Sequence, residues 1–204
     1  MLKKMFKIIE DCSPYYVRFT YEGIEKTIDL CKNYFRHDVN ELSKNFTFKT
    51  LDFKQSINIK NLSMPIQKLP QVDLNRFTYF VSEPGFYCPA HTDGPNHTWG
   101  INYSIQILDE LCVTSWYDSK DLTQYDLVNG YSKLCKDFQK HKHTPLKTTT
   151  FKPNECVLIN TGIFHDWDNS KSTNWRVVLT IRGLDVVYEK FNYTDVKNLL
   201  FSVN

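Results

Sequence analysis

Residues 83–107, EPGFYCPAHTDGPNHTWGINYSIQI, decide how this chain folds. Pro84-Gly85 is one turn signal and Gly94-Pro95-Asn96 is a second, so residues 86–93 between them read as a single extended segment. Beyond the second turn, Ile101, Tyr103, Ile105 and Ile107 alternate with Asn102, Ser104 and Gln106. A period of two puts the first set on one face of a strand and the second set on the other. The same period places His91 and Asp93 on one side of the extended segment.

Outward from this stretch the pattern repeats. Residues 77–81, 112–116, 156–159, 164–167 and 175–181 read as further strands, with turns at residues 151–155 and at Thr161-Gly162. Upstream, residues 1–9 form a first strand or helical turn that Ser13-Pro14 breaks. Residues 15–21, 46–51 and 57–59 read as strands, residues 22–35 as a helix, and Pro65 and Pro70 mark a connector. Many short strands without a strand–helix–strand rhythm point to a mainly β protein, a sandwich or jelly roll. A chain of 204 residues suits one domain. Within it, residues 1–75 read as an N-terminal α/β support, 76–183 as the β core and 184–204 as a tail with helical character. Residues 118–150 interrupt the core as a central insertion. This segment is polar, carries Lys136, Lys140, Lys142 and Lys147, holds a short helix at residues 127–138, and suits a mobile cover.

Composition narrows the function. A net charge of +2 is too small to suggest a nucleic-acid surface. No apolar run approaches a membrane span, and residues 1–12 lack the apolar core of a signal peptide. Cys12, Cys31, Cys88, Cys112, Cys135 and Cys156 include no CxxC pair and read as reduced, small hydrophobes, which suits a cytoplasmic protein. With 14 Phe and 12 Tyr the chain has aromatic side chains for a core and for the walls of a pocket.

Chemistry enters with a second stretch, residues 158–183, LINTGIFHDWDNSKSTNWRVVLTIRG. A jelly roll folds back so that early and late strands become neighbours, which lets His165 meet His91 and Asp93. Two imidazoles and one carboxylate leave three positions of a metal open, the ligand set of non-haem Fe(II) oxygen chemistry. The plainer reading makes Asp93 a turn residue before Gly94 and His165 a polar edge residue. Arg176 alternates with Val178, Thr180 and Arg182, while Val177, Leu179 and Ile181 occupy the other face. An arginine pointing into a roll needs a partner, which a dicarboxylate supplies as a two-pronged acceptor. On an edge strand it is merely a surface cation. His97 lacks the register to join the triad, and His141 with His143 lie in the lysine-rich stretch as solvated residues.

The order HTD, then NTGIFHDWDN, then WRVVLTIRG resembles the Fe(II)- and 2-oxoglutarate-dependent oxygenases. YFVSEPGFYCPAHTDG is most similar to the prolyl-hydroxylase-like small hydroxylases, and the likeness covers residues 76–183 apart from the insertion. The resemblance implies a double-stranded β-helix and iron held by His91, Asp93 and His165. It implies 2-oxoglutarate and O2 as co-substrates, and Arg176 on the distal carboxylate. Val178 stands where part of that family has Ser or Thr. Tyr79 and Asn102 are further candidates for the co-substrate carboxylate. Trp116, Trp167 and Arg182 are candidates for the substrate pocket. The activity implied is hydroxylation of an unactivated C–H bond, with succinate and CO2 as co-products. A small molecule or a protein side chain suits it better as substrate than a nucleic acid, and no membrane partner is expected. Two alternatives stand beside it: a metal-dependent cupin-type enzyme that does not use 2-oxoglutarate, and a β-sandwich binding module without catalysis.

Overall fold

In the computed structural model the described residues are 6–34, 48–52, 77–94, 98–106, 109–122, 124–128, 132–135, 137–182 and 192–201. The strands are β1 (Phe6–Cys12), β2 (Tyr16–Tyr21), β3 (Phe48–Asp52), β4 (Phe77–Ser82), β5 (Tyr87–His91), β6 (Trp99–Gln106), β7 (Val113–Trp116), β8 (Asp126–Val128), β9 (Ser132–Leu134), β10 (Lys147–Thr150), β11 (Cys156–Asn160), β12 (His165–Asp168) and β13 (Arg176–Arg182). Among the described residues the α-helices are α1 (Ile24–Tyr34) and α2 (Tyr193–Phe201).

The strands form two antiparallel sheets. The larger runs β1-β2-β11-β6-β13-β4-β3 and the smaller β10-β7-β12-β5-β9-β8. Within them lies a nested pattern: β4-β13-β6-β11 in one sheet faces β5-β12-β7-β10 in the other. Among the eight nested strands the chain switches sheets at every step except from β7 to β10, and β13 returns beside β4. That is a double-stranded β-helix, or jelly roll. The N-terminal segment extends the larger sheet with β1 and β2 at one edge and β3 at the other.

The alternation seen in the sequence explains why the large sheet sits between two layers. Ile101, Tyr103 and Ile105 of β6 join Val177, Leu179 and Ile181 of β13 in the main core, against Ile24, Ile28 and Cys31 of α1 and Val196 and Leu200 of α2. The opposite faces of β11 and β13 send Val157, Ile159 and Val178 inward, where they meet Tyr16, Trp116 and Phe151. Each such aliphatic side chain, fully buried, contributes about 1.5–3 kcal/mol, so both faces hold the register of the sheet. A one-residue slip would exchange them.

Two expectations about residues 118–150 need correction. The segment 127–138 is not a helix. It carries the hairpin strands β8 and β9, and β9 pairs with β5 at His91↔Leu134. Residues 147–150 belong to the roll itself as β10, paired with β7. The strand expected at residues 57–59, the Pro65–Pro70 connector and His97 lie outside the described residues, as does the side chain of Arg182. All six cysteines are free thiols. No helix among the described residues is long and apolar enough to cross a membrane.

Candidate metal centre

The register of two strands brings the first two candidate ligands together. His91 ends β5 and His165 begins β12, and the two are direct cross-strand partners. Their rings lie 4.5 Å apart, centre to centre. Just past β5, the Asp93 backbone N–H donates to the Thr161 carbonyl (3.1 Å), which fixes the chain as it leaves the strand. Asp93 Oδ1 then lies 3.6 Å from His91 Nε2. One donor atom from each of His91, Asp93 and His165 falls within 4.8 Å of the others, the one such grouping among the described residues.

Backbone carbonyls set which imidazole nitrogens are available. His91 Nδ1 is 2.8 Å from the Pro89 carbonyl, and His165 Nδ1 is 3.0 Å from the Ile163 carbonyl. A carbonyl only accepts, so each Nδ1 carries the proton. This leaves the Nε2 lone pairs for a metal, the tautomer that second-shell carbonyls fix in metal sites. The donor set fits a first-row divalent ion with open positions.

With no metal bound, the surroundings of His91 raise its basicity above that of an ordinary histidine. Burial works against its charged form. The Cys88 sulfur, the Asp93 carboxylate and the Pro89 carbonyl outweigh that and push its pKa up to about 9. A metal needs the unprotonated ring, so at neutral pH loading must displace a proton. Metal affinity is therefore expected to rise about tenfold per pH unit from pH 7 to near 9, then level off. Titration calorimetry in buffers of differing ionisation enthalpy should show about one proton released per ion at pH 7.

All three residues open into a cavity of about 350 Å³ between the sheets. Arg176, at the start of β13, lines the same cavity. It is 2% exposed, with its guanidinium carbon 4.2 Å from the centre of the Phe151 ring and 4.1 Å from that of Trp167. Its Nε and Nη1 have no hydrogen-bond partner among the described residues. Burial pushes its pKa below the usual arginine value, against the pull of Cys112 and Asp166. Two aromatic faces hold the cation by its flat sides, which leaves its edge for an acceptor.

The other sequence candidates divide. Asn102 lines the cavity, and its Oδ1 accepts from the Thr180 hydroxyl (2.8 Å), its cross-strand partner. Trp167 lines the cavity beside Phe80. Tyr79 does not reach it: this residue is 0% exposed in the helix-covered core, and its hydroxyl donates to the Cys31 carbonyl of α1 (3.0 Å). Its pairing with Leu179 shows why, since both take the core face and leave Phe80 to the cavity. Trp116 is the partner of His165 on β7, but its side chain stacks on Tyr16 at 5.3 Å and its indole N–H donates to the Asn160 carbonyl. It is packing and not pocket wall. His141 is exposed, and His143 stacks on Phe138.

Sequence reasoning missed a buried carboxylate. Asp166 follows the last candidate ligand and is 0% exposed. It accepts from the Ser115 N–H (2.9 Å) and the hydroxyls of Tyr117 (2.8 Å) and Tyr87 (3.3 Å). Lys140, from the central insertion, bridges Asp166 at 3.1 Å and Asp168 at 2.7 Å. The hairpin is tied in as well. Thr92 N–H donates to the Lys133 carbonyl, Cys135 N–H to the Ala90 carbonyl, and the Ser132 hydroxyl to the Asp93 carbonyl. The described part of the segment expected as a mobile cover lines the cavity through Val128, Ser132, Lys133 and Leu134.

Compared with known proteins, the chain matches no family model and no curated protein. Similar solved structures include oxalate decarboxylase of Bacillus subtilis, 14% identical over 68% of this chain and 26% of that one, at a TM-score of 0.35. The oxalate decarboxylase formate complex of Lactobacillus farciminis is 11% identical over 70% and 30%, at 0.38. The non-haem alpha-ketoglutarate-dependent carbocyclase SnoK from nogalamycin biosynthesis is 13% identical over 53% and 49%, at 0.34. The chain thus spans between about a quarter and a half of the length of these solved proteins.

Proposed function

We propose that this protein is an Fe(II)- and 2-oxoglutarate-dependent dioxygenase that hydroxylates an unactivated C–H bond and releases succinate and CO2. The observation that carries the reading is Arg176. A guanidinium buried with unpaired donors is costly, and this one shares a cavity with two imidazoles and a carboxylate grouped for one metal ion. A co-substrate with one end for the metal and a carboxylate at the other satisfies both.

Each residue then has a task. His91, Asp93 and His165 would hold the ion at the wall of the cavity they line. Arg176 takes the far carboxylate through its edge, while Phe151 and Trp167 keep it from turning. Asn102, its Oδ1 engaged by the Thr180 hydroxyl, lines the same cavity. Iron, the oxo acid and O2 supply, when bound, the oxidising power that no side chain has. Phe80, Ile159 and Leu134 keep water from the reacting centre.

The direct test is an anaerobic titration of the Fe(II)-loaded protein with 2-oxoglutarate, followed by visible absorption and calorimetry. A weak charge-transfer band that saturates with the calorimetric signal is expected. Metal binding without oxo-acid binding would leave a metal-dependent jelly-roll enzyme of another kind. Failure to bind a divalent ion at all would leave a binding module.

A further inference from the structure

Taking the dioxygenase reading as given, we infer that the primary substrate carries an anionic group, a carboxylate or a phosphate monoester, and that Lys133 of β9 is the residue that receives it. The inference rests on the charges that line the cavity. Arg176 and the metal, set against Asp93, are matched by the two carboxylates of the oxo acid. Asp166 is answered by Lys140 and three further donors. Lys133 is left over. Its ammonium makes no ion pair among the described residues, and it rests 4.7 Å from the centre of the Tyr125 ring, a contact that steadies the cation without neutralising its charge.

Position favours a substrate contact over a solvated surface charge. Lys133 lines the cavity, and its neighbour Leu134 is the strand partner of the metal candidate His91. Its own backbone is clamped, with its carbonyl accepting from the Thr92 N–H (2.9 Å) and its N–H donating to the Thr92 hydroxyl (3.3 Å). The side chain therefore starts from a fixed point one residue from the metal centre and belongs to the hairpin, not to the eight strands of the roll. A flexible ammonium at that place suits a group that varies in geometry, where the flat fork of Arg176 suits one carboxylate in one orientation. The substrates this admits are small acids bearing an oxidisable C–H bond. Neutral side chains of a folded protein are disfavoured.

The test needs no knowledge of the true substrate. The protein is loaded with Ni(II) and saturating 2-oxoglutarate, so that the Arg176 site is filled. It is then titrated calorimetrically with short carboxylates and alkyl phosphate monoesters, each beside its uncharged amide or alcohol. Saturable binding of at least one class of anion is expected, at least tenfold tighter than its neutral counterpart. It should be lost in Lys133→Met and kept in Lys133→Arg. The two classes of anion tell a carboxylate site from a phosphate site. Equal binding of neutral counterparts, undiminished binding in Lys133→Met, or no anion binding at all would each overturn the assignment. If 2-oxoglutarate itself fails to bind in the first step, the dioxygenase reading falls instead. The Lys133 comparison is then run on the Ni(II)-loaded protein alone, with the same outcomes deciding it.

Discussion

Arg176→Ala is expected to weaken 2-oxoglutarate binding by roughly 30-fold to several thousand-fold while leaving metal content nearly unchanged. The residue touches no metal candidate, so its loss removes only the far-end anchor. Truncating one partner of a desolvated charge pair typically costs about 2–5 kcal/mol, which converts to that range of affinities. Here the effect belongs at the upper end, because Arg176 is 2% exposed and its guanidinium carbon lies over the Phe151 and Trp167 rings. Arg176→Lys restores part of the loss, since an ammonium brings one point charge in place of a planar fork and stacks less well between two rings. Paired titrations of the three proteins at fixed Fe(II), with metal analysis of each, decide the matter. Unchanged affinity in the alanine variant would remove Arg176 as the anchor.

The second large effect lies at the metal. Asp93→Ala removes the anionic oxygen from a set of two imidazoles and one carboxylate. Loss of a mere supporting hydrogen bond costs a metal site about 10- to 100-fold in affinity, and loss of a ligand must cost more. The same change should lower the basicity of His91, because Asp93 is one of the groups that raise it. Metal loading of the variant should therefore be weaker and also less dependent on pH between about 7 and 9. The fold should survive, since Asp93 lies past the end of β5 and the strand itself is held by β12 and β9. Full metal occupancy in Asp93→Ala, measured after desalting, would end its role as a ligand.

Much of this was legible because alternation writes both faces of a strand into the chain. On β6 and β13 it separated Ile101, Tyr103, Val177 and Leu179 from Asn102, Arg176 and Thr180, and those sets lie on opposite sides of the large sheet. The same rule, applied to β4, places Tyr79 with Val81 in the core and Phe80 in the cavity. Tyr79 was a candidate through the resemblance to related hydroxylases, and its hydroxyl donates to a helix carbonyl instead. The hairpin was masked by an accident of spacing. Leu127, Leu134, Cys135 and Phe138 mimic a helical stripe, yet Asn129-Gly130 between two apolar runs is a strong hairpin signal. Asp166 and Lys140 could not be paired in advance. Their contact joins residues 26 positions apart across two strands and a loop, and charge spacing along a chain carries no trace of that.

The hairpin β8–β9 has a standing in the architecture that its pocket contacts alone do not convey. The eight nested strands that hold His91, His165 and Arg176 close without it. It adds to them at one edge of the smaller sheet, through one strand pair and a few backbone bonds. The architecture thus separates a nested core, which carries His91, His165 and Arg176, from an added edge that lines the same cavity from one side. On the proposed function, substitutions at Val128, Ser132 and Lys133 are expected to change which molecules the cavity accepts while the nested strands keep their pairing. The same positions are open to an engineer, who can vary them and leave His91, Asp93, His165 and Arg176 untouched.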